Sequence, residues 1–236
     1  MEPAGPSNGS RVAFDEPSVD RFLYAGWAVD PPMRLPFVRR SDERARMIAR
    51  CCEYAGRAEM RTGTISATVL ETEVMPPLPG APRYDVLMLL RVHPQQELAR
   101  EAAEIRDLAP DFMMTAWNSR RIGDTDRIHD ATFLFNHFVA QRSDAAMAGF
   151  EQVAGWFPDK LGVDNTTLLQ PEDQETAPYA FVNYVRLPSG ARRFLLGMLI
   201  RPSFHTHVRR VLRAHHMQAL PLLAKPIRLE RLRRAA

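Results

Sequence analysis

The feature that most constrains the fold is an internal repeat, because two pairs of similar segments recur in the same order at nearly the same spacing. The segment "DRFLYAGWAV" (20–29) matches "ATFLFNHFVA" (131–140). Further along, "YDVLMLLRVHP" (84–94) matches "RRFLLGMLIRP" (192–202), each an apolar run that ends in Arg and reaches a Pro. The offset is 111 residues for the first pair and about 109 for the second, so the pattern indicates a duplicated unit.

In the first half, periodicity and capping signals predict the element order β-α-β-β-α-β. Ser41 precedes two acidic residues and is a typical helix N-cap, and we expect its helix to end near Gly56. The predicted strands are 21–29, 63–75, 84–92 and 112–122, and the second predicted helix is 95–108.

The second half repeats this order. We expect a strand (132–141), a helix from Ser143 to about Gly162, an extended region (165–187), a strand (192–201), a helix (203–217) and a strand (219–229). The predicted organisation is therefore a disordered N-terminal segment (1–19), two ferredoxin-like units (20–125 and 126–230) and a basic tail (231–236).

This arrangement resembles the dimeric α+β barrel superfamily, which includes antibiotic-biosynthesis monooxygenases, polyketide cyclases, muconolactone isomerases and haem proteins related to chlorite dismutase. The resemblance covers residues 20 to 230 and rests on the element order and the repeat, without a signature motif. It implies an α+β fold in which two tandem ferredoxin-like βαββαβ units form a barrel within one chain.

Strand alternation predicts which side chains face the interior of such a barrel, if the uniformly apolar face of each strand packs against helices. The apolar face of the first strand is formed by Leu23, Ala25, Trp27 and Val29. Tyr24 and Gly26 should then face the cavity. The repeat places His137, the counterpart of Gly26, in the cavity as well, and it places Asn136 against the helices.

The same reasoning adds candidates from three other strands. Arg91 lies opposite the apolar face of strand 84–92 and should look into the barrel. In strand 112–122 the apolar positions Phe112, Met114 and Ala116 are assigned to the helices, which leaves Trp117 toward the interior. In strand 178–187 either Asn183 or Tyr184 faces inward, and the sequence leaves this choice open.

His137 is the strongest candidate for general acid or base chemistry, because imidazole titrates near neutral pH. The alternative is a core histidine that a backbone carbonyl or a neighbouring side chain satisfies. Asn136 is expected to make a structural hydrogen bond, although an amide can also hold a developing oxyanion. Trp117 is expected either to stack on a planar ligand or to fill the core.

We expect no metal and no cofactor, with haem as the second candidate. The histidines of the C-terminal region, His205, His207, His215 and His216, lack the i, i+4 spacing of helical zinc ligands. Haem proteins with related barrels use an inward axial histidine, a role open to His137 or His207, but the other residues that mark the chlorite-dismutase-like group are not found. The sequence also has no Gly-rich phosphate loop, G-x-S-x-G, C-x-x-C or H-E-x-x-H motif.

Charge and composition indicate which classes of binding partner and which cellular compartment to expect for this protein. The net charge is +3 and the basic residues gather in the last quarter, but no aromatic-interleaved patch or helix-turn-helix signature accompanies them, so we expect no nucleic-acid partner. No apolar window is long enough to span a bilayer and the N-terminus does not resemble a signal peptide, which predicts a cytoplasmic protein without a membrane partner. The only cysteines, Cys51 and Cys52, are predicted to be reduced core residues.

The leading functional hypothesis is a small-molecule tailoring enzyme of secondary metabolism, similar to the cofactor-independent oxygenases and cyclases of aromatic polyketide and antibiotic biosynthesis. It would bind a flat, mostly apolar substrate against Trp117 and use His137 to move a proton. Two alternatives stay open, a haem-binding barrel enzyme and a non-catalytic small-molecule-binding protein. A homodimer of barrels is a further alternative.

Overall fold

The first half of the chain follows the predicted order. The computed structural model describes residues 12–32, 36–96, 98–127 and 130–227. The elements of the first half are β1 (Arg21–Trp27), α1 (Asp42–Glu59), β2 (Thr64–Val74), β3 (Val86–Val92), α2 (Leu98–Arg106) and β4 (Phe112–Ile122). Ser41 caps α1 by accepting a hydrogen bond from the backbone N–H of Arg44, as predicted, but α1 continues past Gly56 to Glu59.

The second half has the same order of strands and helices. Its elements are β5 (Phe133–Ala140), α3 (Ser143–Ala154), α4 (Trp156–Leu161), β6 (Thr166–Pro171), β7 (Phe181–Arg186), α5 (Ala191–Leu199), α6 (Arg209–Ala214) and β8 (Met217–Pro226). A 3-10 turn (Thr125–Arg127) precedes β5 and a π-helical turn (Phe204–Val208) precedes α6. Gly162 ends α4 with a φ of 66°, a left-handed conformation that glycine adopts without steric cost.

The predicted strand over 192–201 is wrong, because this segment forms α5. Apolar residues recur there at the helical spacing i, i+3, i+4 and i+7, and they pack on one cluster: Ala191, Phe194, Leu195 and Met198. The strand that corresponds to β3 is β7, since β7 pairs with β5 as β3 pairs with β1. The similarity between 84–94 and 192–202 therefore does not mark equivalent elements.

Eight antiparallel strands close into a barrel in the order β1-β3-β2-β8-β5-β7-β6-β4. Each half supplies one four-stranded ferredoxin-like sheet, and the two sheets join through the β2–β8 and β4–β6 pairs. Closure gives every strand two neighbours, so the barrel has no free edge. The predicted fold class, an α+β protein with a barrel formed within one chain, is confirmed.

Two layers of apolar side chains lie on opposite faces of the sheet. On the outer face, α1 and α2 cover a cluster that includes Leu23, Ala25 and Trp27, as the sequence predicts. The inner face holds a second cluster to which both halves contribute, with Tyr24 from β1 and Phe135 from β5. The interior of the barrel is therefore itself a packed core.

The segments that flank the barrel differ in part from expectation. Residues 1–11 of the segment predicted to be disordered, and the tail 231–236, lie outside the described residues. The backbone N–H of Asp15 donates to the carbonyl of Arg121, and that of Ser18 donates to Oδ1 of Asn118 in β4. The ordered chain thus begins before residue 20, because these contacts fix it along β4.

Two smaller expectations concern the helices. Cys51 and Cys52 are free thiols buried in the cluster beneath α1, where burial raises their pKa values to about 12 and about 11. Both thiols therefore stay protonated at neutral pH. Among the helices in the described residues, none has the length and apolar character needed to cross a bilayer.

Candidate functional site

His137 lies on the inner face of β5 and is fully buried. Its Nδ1 is 3.1 Å from the carbonyl oxygen of Leu220, and its Nε2 is 3.0 Å from the hydroxyl of Tyr24. A carbonyl only accepts, so Nδ1 carries the proton and donates to Leu220. In the neutral ring Nε2 is then an acceptor, and the Tyr24 hydroxyl donates to it.

Burial keeps this imidazole neutral. Loss of solvent lowers the pKa of His137 to about 4, although the hydrogen bonds to the backbone at Leu220 and Phe135 act in the opposite direction. Burial likewise raises the pKa of the Tyr24 hydroxyl well above its usual value. At neutral pH the pair is therefore an uncharged imidazole, whose Nε2 accepts a hydrogen bond, and a protonated phenol that donates it.

Aromatic rings surround this pair. The ring of Tyr179 lies 4.7 Å from that of His137 between centroids, and the ring of Tyr84 lies 6.3 Å away at a steep angle. Tyr24 stacks almost parallel on Phe135, with centroids 5.1 Å apart and planes inclined by 7°. The site thus offers flat apolar surfaces next to one basic nitrogen.

Tyr84 and Tyr179 cover the end of the barrel nearest to His137. Their hydroxyls are 3.3 Å apart, and Tyr84 is half-buried. The ring of Tyr84 occupies the space over Gly26, where an added Cβ would come within 2.6 Å of its Cγ. Gly26 faces the interior as predicted, and its lack of a side chain leaves room for the ring of Tyr84.

The opposite end of the barrel is polar. Arg91 lies on the inner face of β3, as predicted, and it forms ion pairs with Asp20 at 2.5 Å and Asp126 at 3.1 Å. Tyr184 donates a hydrogen bond to Asp126 (2.9 Å). Arg91 and Asp126 line a small cavity of about 150 Å³ together with Arg121. Arg91 is thus neutralised by two carboxylates at the rim, distant from His137 along the strand.

The structure decides between the candidates on β5 and β7. Asn136 lies on the outer face of β5, as predicted, and it pairs in register with Asn183 of β7. Asn183 also faces outward, where it accepts a hydrogen bond from Thr166 (2.7 Å). Tyr184 faces inward and stacks with Phe133 and Phe135. The two asparagines therefore lie outside the aromatic interior.

The prediction that Trp117 lines the cavity is wrong. Trp117 is 43% exposed, on the outer side of β4. The inner face of β4 carries Phe112, Met114 and Ala116, which strand alternation predicts to face the helices. The prediction assumed that only the helix-packed face of a strand is uniformly apolar. In this barrel the interior is also a packed core, so the inner face of β4 is apolar as well.

Sequence reasoning missed three residues near His137, namely Tyr84, Tyr179 and Phe112. Gly26 could have indicated that a large side chain, here Tyr84, packs over it, because a glycine among large inward-facing residues leaves space for a bulky neighbour. Tyr179 precedes β7 in an irregular segment, where strand alternation does not apply. Phe112 was missed because the prediction exchanged the inner and outer faces of β4.

Within the described residues, neither His137 nor His207 is placed to hold a haem iron. Within the described ranges, no three His, Cys, Asp or Glu side chains come together in a metal-binding group. A haem iron requires a free imidazole nitrogen and a slot for the macrocycle. Both nitrogens of His137 are engaged, side chains fill the space beside it, and His207 lies in the π-helical turn outside the barrel. The arrangement does not fit a haem.

Removal of the Tyr24 hydroxyl tests the hydrogen bond at the site. Tyr24→Phe keeps the stacked ring but leaves Nε2 of His137 buried without a donor, so we expect a loss of about 1–3 kcal/mol in the free energy of unfolding. Urea unfolding measures this loss. Tyr84→Phe is the matched control, because its hydroxyl makes only a long contact at the barrel end, and equal losses in the two variants would contradict the assigned hydrogen bond.

Comparison with known proteins supports the architecture. No family model and no curated protein sequence matches the chain. Among solved structures, an anthrone oxidase-like protein superposes with a TM-score of 0.59 at 11% identity, covering 89% of this chain and 91% of that one. A candidate chlorite dismutase gives a TM-score of 0.50 at 11% identity, covering 89% of this chain and 95% of that one. A candidate monooxygenase from Fusobacterium nucleatum subsp. nucleatum gives 0.50 at 7% identity, covering 89% and 92%. At these identities the similarity concerns the fold alone, which in this chain is an eight-stranded barrel with both ferredoxin-like units in one polypeptide.

Proposed function

We propose that this protein is an oxygenase-type enzyme that acts on a flat, mostly apolar aromatic small molecule without a bound cofactor, with His137 as the general base. The observation that carries the proposal is a fully buried, neutral imidazole whose Nδ1–H is fixed by Leu220 and whose Nε2 accepts from the Tyr24 hydroxyl within the aromatic interior. The anthrone oxidase-like structural neighbour supports the choice of reaction class.

The substrate enters at the end of the barrel that Tyr84 and Tyr179 cover. Entry requires these two rings to move apart, which breaks the 3.3 Å contact between their hydroxyls and the stack of Tyr84 on Phe112. The entering ring then packs beside Tyr179 and Phe112, whose rings meet edge to face with centroids 5.2 Å apart. An acidic hydrogen of the substrate replaces the Tyr24 hydroxyl at Nε2 of His137.

His137 and Tyr24 have different roles in the proposed reaction, as the proton acceptor and as the hydrogen-bond donor to the developing oxyanion. Nε2 of His137 accepts the substrate proton, and burial among aromatic rings keeps this base neutral at neutral pH. The Tyr24 hydroxyl, released from Nε2, donates to the substrate oxygen on which negative charge develops. For an activated CH₂ group the overall change is CH₂ + O₂ → C=O + H₂O, in which the substrate supplies all the electrons and His137 returns its proton to the water formed.

Oxygen consumption tests the proposal. Wild type and His137→Gln are incubated with anthrone-type and related activated aromatic ketones, and products are identified by mass spectrometry. Loss of a general base should lower kcat by at least about 100-fold. Trp117→Phe, on the outer surface of β4, is the matched aromatic control and should keep wild-type turnover.

Three results would count against the proposal. Full turnover by His137→Gln would remove the assigned role. Tight binding of substrate that returns unchanged from the wild type would favour the non-catalytic binding protein. A Soret band in the absorbance spectrum of the purified protein would establish haem, for which the described site has no fitting arrangement.

A further inference from the structure

A groove on the outer surface, separate from the barrel interior, lies where the start of α1 and the start of α5 approach β2 and β8. Its volume is about 570 Å³, which is within the range of small-molecule sites. Five cationic side chains line it, and we call it the arginine groove: Arg40, Arg44, Arg192, Arg193 and Lys225.

The positive charge of the arginine groove is not balanced within it. Its lining contains two carboxylates, Glu71 and Glu73. Glu71 accepts from Nε of Arg44 at 3.0 Å, and Glu73 pairs with Lys225 at 2.8 Å. Within the described part of the chain, the other three arginines of the groove have no carboxylate within ion-pair distance. The groove therefore carries three unpaired positive charges.

The first turn of α5 opens into the same groove without a cap. The N-cap is Gly190, which has no side chain, and the first turn contains Arg192 and Arg193 but no acidic residue. The first backbone bond of the helix runs from the N–H of Phe194 to the carbonyl of Gly190 (3.1 Å). The N–H groups of residues 191–193 precede this bond, so the helix itself offers them no acceptor. A helix start of this composition attracts anions.

Arg44 supplies an independent indication of a ligand. It is 2% exposed and lines the groove, yet its Nη1 has no hydrogen-bond partner. Nη1 forms an ion pair with Oδ2 of the buried Asp85 at 3.7 Å, a distance that is too long for a hydrogen bond. Nε and Nη2 are held by Glu71 and by the carbonyl of Arg39, so the guanidinium is fixed in place. Glu71 and Asp85 balance the charge of this buried guanidinium, but one of its N–H donors has no acceptor, which costs free energy unless a ligand supplies one.

The ligand must match two kinds of donor. Guanidinium groups present planar pairs of N–H donors that suit phosphoryl oxygens, and backbone N–H groups at a helix start bind the same oxygens. Arg192 is also held in place, because its guanidinium stacks over the ring of Phe37 at 4.6 Å. We propose that the arginine groove binds the phosphoryl group of a small phosphorylated molecule, with Arg44, Arg192, Arg193 and the first turn of α5 as its donors.

Titration with sodium pyrophosphate in a calorimeter tests this site. The variant Arg192→Gln/Arg193→Gln removes two exposed guanidiniums and leaves the buried Arg44 in place, so the fold is retained. Arg210→Gln/Arg213→Gln, on the exposed side of α6, removes the same charge at a distance from the groove. We expect the groove variant to weaken pyrophosphate binding at least tenfold and the α6 variant to change it less than twofold.

The outcomes separate the site from general charge attraction. Equal weakening in the two variants, or no binding to the wild type at millimolar pyrophosphate, would overturn the proposal. Succinate is titrated in parallel, and binding as tight as that of pyrophosphate would overturn the assignment to a phosphoryl group. None of these results depends on turnover at His137.

Discussion

Phe135→Ala is expected to lower the free energy of unfolding by about 3–5 kcal/mol, because it empties the centre of the barrel. Phe135 is fully buried and lies between two tyrosines, with ring centroids 5.1 Å from Tyr24 and 4.9 Å from Tyr184. The side chains around it come from strands of both halves, so the cavity cannot close by moving one element. Chemical denaturation of the variant measures the loss.

Two further variants calibrate that measurement. Phe135→Leu keeps most of the volume and should cost clearly less. Trp117→Ala removes a larger side chain from the outer surface and should cost less than about 1 kcal/mol. If Phe135→Ala cost no more than Trp117→Ala, the interior would not be the packed core that the barrel geometry describes.

His137 is expected to make the protein less stable as the pH falls from about 6.5 to about 4. In this range the unfolded chain binds a proton on His137 that the folded chain does not bind, so folding loses free energy as the solution becomes more acidic. The gap between a folded pKa of about 4 and an unfolded pKa of about 6.5 corresponds to about 3 kcal/mol at the acidic end. Above pH 6.5 both states are neutral and the contribution is constant.

Comparison with His137→Gln isolates this contribution. Urea unfolding of both proteins at several pH values gives two curves, and carboxylates that titrate in the same range affect both curves alike. The wild-type curve should fall more steeply than the variant curve between pH 6.5 and pH 4. Parallel curves would show that the imidazole is not held neutral by the fold.

The repeat predicted the overall fold because its first pair of segments is structurally equivalent. β1 and β5 occupy the same position in their sheets, and this equivalence correctly separated His137 from Asn136. The second pair of segments, 84–94 and 192–202, led to a wrong strand prediction, because an apolar run that ends in Arg can form either a strand or a helix. The helical spacing of Phe194, Leu195 and Met198 would have corrected it.

The candidate site was harder to predict, because a strand in a closed barrel has two apolar environments. Alternation gives the two faces of β4 but not which one is inside, and Trp117 was therefore placed on the wrong side. The inward position of Tyr184 depends on the register between β5 and β7, which single-strand patterns do not contain. Tyr179 reaches His137 from a segment without regular structure, so only the folded chain brings them together.

The central claim is that the fold holds His137 as a neutral imidazole with the proton on Nδ1. Nuclear magnetic resonance of protein labelled with ¹⁵N at histidine, titrated from neutral to acidic pH, reads the tautomer and the pKa of this ring. The structure predicts a single tautomer with the proton on Nδ1 and a pKa of about 4. A pKa near 6.5, or a proton on Nε2, would contradict the claim.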